Sequence, residues 1–103
     1  MSDFGKKIEK AAEALADAVL KETELEDGRI TEKLAAIERI MNSGDNPLTG
    51  KPHSFSSAEA MVNTDSSYQD YLHRQRQAVR DRILARGHYD AAVAEARLQA
   101  AHV

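Results

Sequence analysis

Apolar side chains recur along the first part of this chain at intervals of four and three: Phe4, Ile8, Ala12, Leu15 and Val19. That spacing gathers them on one face of an α-helix, with Ser2 or Asp3 standing where an N-cap belongs. The pattern resumes with Ile30, Leu34, Ile37 and Met41. Counting back in sevens from Ile30, however, reaches positions 23 and 16, one residue out of step with Leu15. The register therefore slips between Thr23 and Arg29, and Asp27-Gly28 lies inside the slip. The segment is either a kink in one long helix or a tight turn between two shorter ones, with glycine weakening the helix there by about 1 kcal/mol. Asn42-Ser43-Gly44 closes this arm, because Gly44 can take the left-handed conformation of a helix C-terminus.

A polar stretch then holds both prolines and ends the helical pattern. Beyond it, Ser56 with Glu59 and Ser66 with Gln69 have the spacing of capping boxes, which predicts a short helix from Ser57 to about Asn63 and a long one from about Ser67 to about Ala100. The long helix carries Tyr68, Leu72, Val79, Ile83, Val93 or Ala94, and Leu98 on its expected stripe, with Gln75 where an apolar residue is expected. Gly87 lies near that stripe, either allowing close helix approach or marking a bend after Arg86, and packing is the stronger reading. No segment alternates as a strand would. The expected fold is all-α, a helical hairpin of two long arms joined by a structured loop and completed by oligomerisation. It is read as one domain over residues 1–103: an acidic arm (1–43), a polar loop (44–57), then a short helix and a long arginine-rich one (58–103).

Composition supports self-association. A chain of 103 residues with seventeen alanines and few large apolar side chains can build only a thin core by itself. The absence of cysteine excludes disulfides and thiol chemistry. No apolar run reaches the roughly 18 residues of a membrane span, and the N-terminus lacks a signal-like apolar stretch, so a cytoplasmic location is expected. Charge is distributed unevenly: residues 1–41 hold ten acids and seven bases, whereas residues 68–88 hold five arginines and two aspartates.

Candidate chemistry concentrates in the loop, where Thr49, Lys51, His53, Ser54, Ser56 and Ser57 stand close together. Gly44, Gly50 and Lys51 suggest a nucleotide-binding P-loop, but five residues separate the glycines, Pro52 replaces the magnesium-binding hydroxyl and the preceding segment is helical, which excludes that motif. A simpler anion site is still expected, with Lys51 supplying charge, His53 and Ser54 supplying donors, and a helix N-terminus supplying amides. The competing reading leaves Lys51 solvated and Asn46-Pro47 with Gly50 in a turn. The run from Asn46 to Ser54, NPLTGKPHS, followed by Ser56-Ser57-Ala58-Glu59, resembles a segment of small helical proteins of tailed phages and prophages. The resemblance covers residues 46–59. It implies an accessory protein of the bacterial host cytoplasm with host or phage protein partners, and it brings no activity or catalytic residue.

On the long helix, Arg76 and Arg80 are four apart, as are Arg82 and Arg86, while His73 and Arg76 are three apart with Arg74 between them. A phosphate backbone could track such a stripe, with Tyr71 as the better stacking candidate and Tyr68 committed to packing. Against this, the acidic arm offers Glu9, Glu13, Asp17 and Glu22 as ion-pair partners, and ion pairing is the favoured reading of the stripe. The four histidines have no metal-ligand spacing, and the neighbouring His53 and Ser54 do not make a nucleophile and base, so no metal, cofactor or catalytic residue is expected. The leading expectation is a non-enzymatic, homo-oligomeric module that holds a nucleic acid or nucleotide through Thr49, Lys51, His53, Ser54, Tyr71, Arg74, Arg76 and Arg80. The alternative is a protein-interaction adaptor or structural oligomer without a small ligand.

Overall fold

A computed structural model describes residues 3–102. Its elements are α1 (Asp3–Asp27), α2 (Arg29–Asn42), α3 (Phe55–Ala60), a 3-10 turn (Val62–Thr64) and α4 (Ser66–Ala101). The fold is all-α, a hairpin in which α1 and α2 form one arm, α4 forms the other and residues 43–65 connect them. Asp3 opens α1 as an acidic first-turn residue, a favourable position at the positive end of a helix. Ser2, the other cap candidate, lies outside the described residues.

The register slip resolves as an irregularity within a helical run. Gly28 has right-handed helical dihedrals (φ −80°, ψ −6°), and its carbonyl already accepts from Glu32 N at 3.0 Å. The chain thus passes from α1 to α2 through the single turn residue Gly28. Gly44 takes φ +133° directly after the Ser43 cap, so α2 ends where its glycine makes a positive φ available.

Both capping boxes are displaced from their expected places. The cap of α3 is Ser54, whose hydroxyl accepts from Ser57 N at 3.1 Å, and not Ser56. The cap of α4 is Asp65, whose Oδ2 accepts from Tyr68 N at 2.8 Å, and not Ser66. A carboxylate outcompetes the adjacent hydroxyl because it also neutralises the helix dipole and an arginine: Arg39 Nη2 donates to Oδ2 at 2.8 Å and Arg39 Nε to Oδ1 at 3.1 Å.

The described helices divide between two compact units, residues 25–75 and residues 1–24 with 76–103. In the first, α2 packs on α3 and the 3-10 turn around Ala36, Ile37, Ile40, Ala58, Val62 and Tyr68, with Met61 and Leu72 at the margin. The core face of α2 is therefore Ala36, Ile37 and Ile40. Of the expected stripe on this helix, only Ile37 is inside, while Ile30, Leu34 and Met41 are exposed.

In the second unit α1 and the later part of α4 run antiparallel, since Lys7 pairs with Glu95 at 3.5 Å and Glu22 pairs with Arg82. Ile8, Ala11, Leu15, Ala18 and Glu22 form the half-buried row of α1. Across from it, Ala78, Arg82, Ala85, Tyr89, Ala92 and Ala96 form the row of α4, of which Ala78 is fully buried. Both rows alternate by three and four, the repeat that keeps two long helices in register. This corrects the expected α4 stripe: Val79 and Val93 flank the seam, and Ile83 and Leu98 are exposed. Alanine takes six of these eleven positions, where a small side chain lets two backbones approach, whereas Ile83 and Leu98 point away from the seam.

Gly87 plays neither expected role. It is exposed inside an unbroken helix, and a Cβ there would meet nothing within 4 Å. Gly87→Ala should therefore raise stability by about 0.5–1 kcal/mol, read as a later denaturation midpoint. For Asp65, Arg39 holds the carboxyl below the usual carboxylate range, aided by Tyr68 N–H and opposed by burial. A group depressed in this way stabilises the fold fully above the pKa of an unfolded aspartate, about 4, and loses that contribution as pH falls through the lower folded value. Asp65→Ala should cost about 1–2 kcal/mol at neutral pH from the lost cap and clamp, and its unfolding curve should converge on the wild-type curve as the pH is lowered to about 2.

Candidate functional site

The connector is organised by Asn46, which uses every hydrogen-bonding group it has. Its N–H donates to Lys51 O at 2.8 Å, and its carbonyl accepts from Thr49 N at 3.2 Å and Gly50 N at 2.8 Å. Its side-chain Oδ1 accepts from Leu48 N at 3.0 Å, closing an Asx turn over Pro47, and Nδ2 donates to Ser57 Oγ at 3.0 Å. Gly50 supplies the φ of +67° that the reversal requires, and Asp45 bridges Pro52 across the base of the loop.

This internal bonding occupies several groups expected to receive an anion. His53 is buried, with Nδ1 2.9 Å from Ser57 Oγ. Ser57 Oγ also accepts from Asn46 Nδ2, and with one proton and two lone pairs the hydroxyl can serve both side chains at once. Ser54 is spent on its cap, and Thr49 Oγ1 accepts from Lys51 N at 3.3 Å. Lys51 is exposed and makes no ion pair among the described residues. The loop thus presents one cation and an apolar tip, Leu48, which is 92 % exposed.

Tyr71 is also turned inward. It is buried, its hydroxyl donates to the carbonyl of Leu25, and the guanidinium of Arg74 lies over its ring at 5.5 Å from the centroid. Burial raises its phenol above the ordinary value, as does Glu32, while Arg74 and Arg29 pull the other way. Its ring packs inside the unit and is not displayed to a base. The Leu25 carbonyl lies just before the Gly28 irregularity, so Tyr71 ties that point of the first arm to α4.

Beside this bond the same unit has a cleft of about 390 Å³ lined by Glu26, Arg29, Ile30, Lys33 and Tyr68. Its two cations are four residues apart, a spacing visible in the sequence but overshadowed by the arginine run on α4. A second cleft of about 300 Å³ is lined by Arg39, Ile40, Ser43, Thr64, Asp65 and Ser66, and its arginine is the one clamped by Asp65.

In the other unit Arg82 pairs with Glu22, one of the carboxylates anticipated for it, and Arg86 pairs with Asp90 at 3.5 Å on its own helix. Arg76 and Arg80 are exposed without an ion pair among the described residues. Among those residues there is also no group of three or more histidine or carboxylate side chains able to hold a metal, and no helix is long and apolar enough to cross a membrane.

The hydroxyl of Ser57 is the joint of the connector. Ser57→Ala should leave Asn46 Nδ2 and His53 Nδ1 without their partner and cost about 1–3 kcal/mol in chemical denaturation, with far-ultraviolet helicity unchanged before the transition. An unaltered midpoint would show that the network does not hold the loop. No protein family, curated protein or solved structure matches this chain.

Proposed function

We propose that this protein is a non-enzymatic helical interaction module that works by docking its outer helix faces onto protein, a second copy of itself first. The observation that carries this reading is the outward row of α2. Ile30, Leu34 and Met41 are 72 %, 50 % and 40 % exposed, while Ala36, Ile37 and Ile40 fill the core from the adjoining face of the same helix. An apolar stripe wider than the core it covers leaves its uncovered edge for another surface. The other unit repeats the arrangement, with Val19, Leu20, Ile83, Leu84 and Leu98 exposed around an alanine-rich seam. The likeness of residues 46–59 to phage proteins adds host or phage proteins as further partners, and the exposed Leu48 and Phe55 lie within that segment.

A second reading, retention of a phosphate-bearing nucleic acid or nucleotide, is favoured by one specific observation. Arg76 and Arg80 lie four apart and exposed, and neither charge is offset by an ion pair among the described residues. The inward packing of His53 and Tyr71 removes two of its other supports, and the contribution of Lys51, Thr49, Ser54 and Arg74 would be peripheral.

The two readings separate by concentration and salt. Under the first, sedimentation equilibrium gives a mass above 11.4 kDa that rises with protein concentration and changes little with salt. Under the second, retention on a polyanion column falls steeply with salt and is reduced further in Arg76→Ala/Arg80→Ala. A monomer at every concentration that also ignores the column would overturn both.

A further inference from the structure

The cleft beside Ile30 has a layout that suits one occupant, its own copy. A two-fold interface brings a surface against itself, so the patch must carry both members of every pair it makes. Ile30 is the most exposed apolar residue on either long arm and lies on the rim of the cleft. Glu26 stands four residues before it and Lys33 three residues after, and all three line the same cleft, so they share one face. Neither Glu26 nor Lys33 forms an ion pair within the chain among the described residues. An acid and a base seven residues apart are separated by roughly 10 Å along a helix, too far to pair with each other.

We infer that two copies associate antiparallel across this face, with Ile30 against Ile30 at the two-fold axis and Glu26 of each copy opposite Lys33 of the other. The inference rests on the self-association reading above and assigns its interface. Direction follows from charge. Because the midpoint between 26 and 33 falls next to Ile30, antiparallel pairing sets both acid–base pairs level on the flank of the apolar contact. Parallel pairing in the same register sets Glu26 against Glu26 and Lys33 against Lys33, which is repulsive at both places. Leu34, the next exposed residue of the row, extends the apolar contact beyond Lys33. Tyr68 forms the floor beneath the rim, and Arg29 adds a further cation at the edge.

The experiment is charge reversal with mixing. Glu26→Lys alone makes two cation–cation contacts in the homodimer and Lys33→Glu alone makes two acid–acid contacts, so each variant should dimerise at least about tenfold more weakly than wild type. In an equimolar mixture the two variants regain both opposite-charge pairs, one chain supplying all the bases and the other all the acids. The mixed dimer should return to within a few-fold of wild-type affinity, measured by sedimentation equilibrium or by energy transfer between differently labelled chains. Circular dichroism of each variant confirms folding, and the cis double variant Glu26→Lys/Lys33→Glu should dimerise as wild type does. If wild type associates but the single variants associate equally well, or the mixture gains nothing over its components, the assigned interface is wrong while self-association stands. A wild type that stays monomeric up to millimolar concentration removes self-association and the interface together.

Discussion

The carboxylate of Asp65 is the point on which the architecture of residues 25–75 turns. It accepts the Tyr68 amide that opens α4 and both donors of Arg39 that reach it from α2. A single acidic group therefore starts a 36-residue helix and fixes the preceding arm to its first turn. Charge-assisted bonds in a fork geometry specify orientation as well as contact, so the direction in which α4 leaves the connector is set here. The small cluster of Ile37, Ile40, Val62 and Tyr68 is then assembled around that junction. Tyr71, one turn further along, makes the second tie by donating to Leu25 beside the Gly28 irregularity.

Scarcity of interior governs the rest. A pair of helices shares one seam, and a seam lined with alanine brings backbones together while burying little side-chain volume. Ala78 is the only residue of residues 76–102 described as fully buried, and the larger Ile83, Leu84 and Leu98 remain outside. Apolar surface of this kind costs free energy in water at roughly 25 cal/mol for each Å² left uncovered. The exposed rows are therefore the part of the molecule with most to gain from a partner. That is the physical basis for reading the chain as an interaction module.

The connector shows how a chemically rich segment can spend its chemistry on itself. A loop between helices has backbone groups with no ladder to join, and each must find a partner. Here Asn46 answers for four of those bonds and adds a fifth from its side chain to Ser57, while His53, Ser54 and Ser57 complete the network. Residue types suited to holding an anion are the same types suited to closing a turn and capping a helix. Side-chain direction distinguishes the two uses, and composition does not carry it.

Helix class, the two arms, the connector between them, the break near Gly28 and the end of α2 at Gly44 were all legible in the sequence, because each follows from local rules: the 3.6-residue period, glycine's freedom and proline's lack of an amide. Which apolar residues go inside was not. Ala78, Ala85 and Ala92 lie in the seam and Ile83 lies outside because helix approach rewards small side chains at the contact, a property of two helices together and invisible in either alone. The caps moved to Ser54 and Asp65 for a similar reason, since Arg39, twenty-six residues away, decides which neighbour opens α4. The sequence by itself determined the elements and their charges. Only the tertiary structure decided which faces are spent on the fold and which are left for a partner, because that choice depends on what lies opposite each side chain.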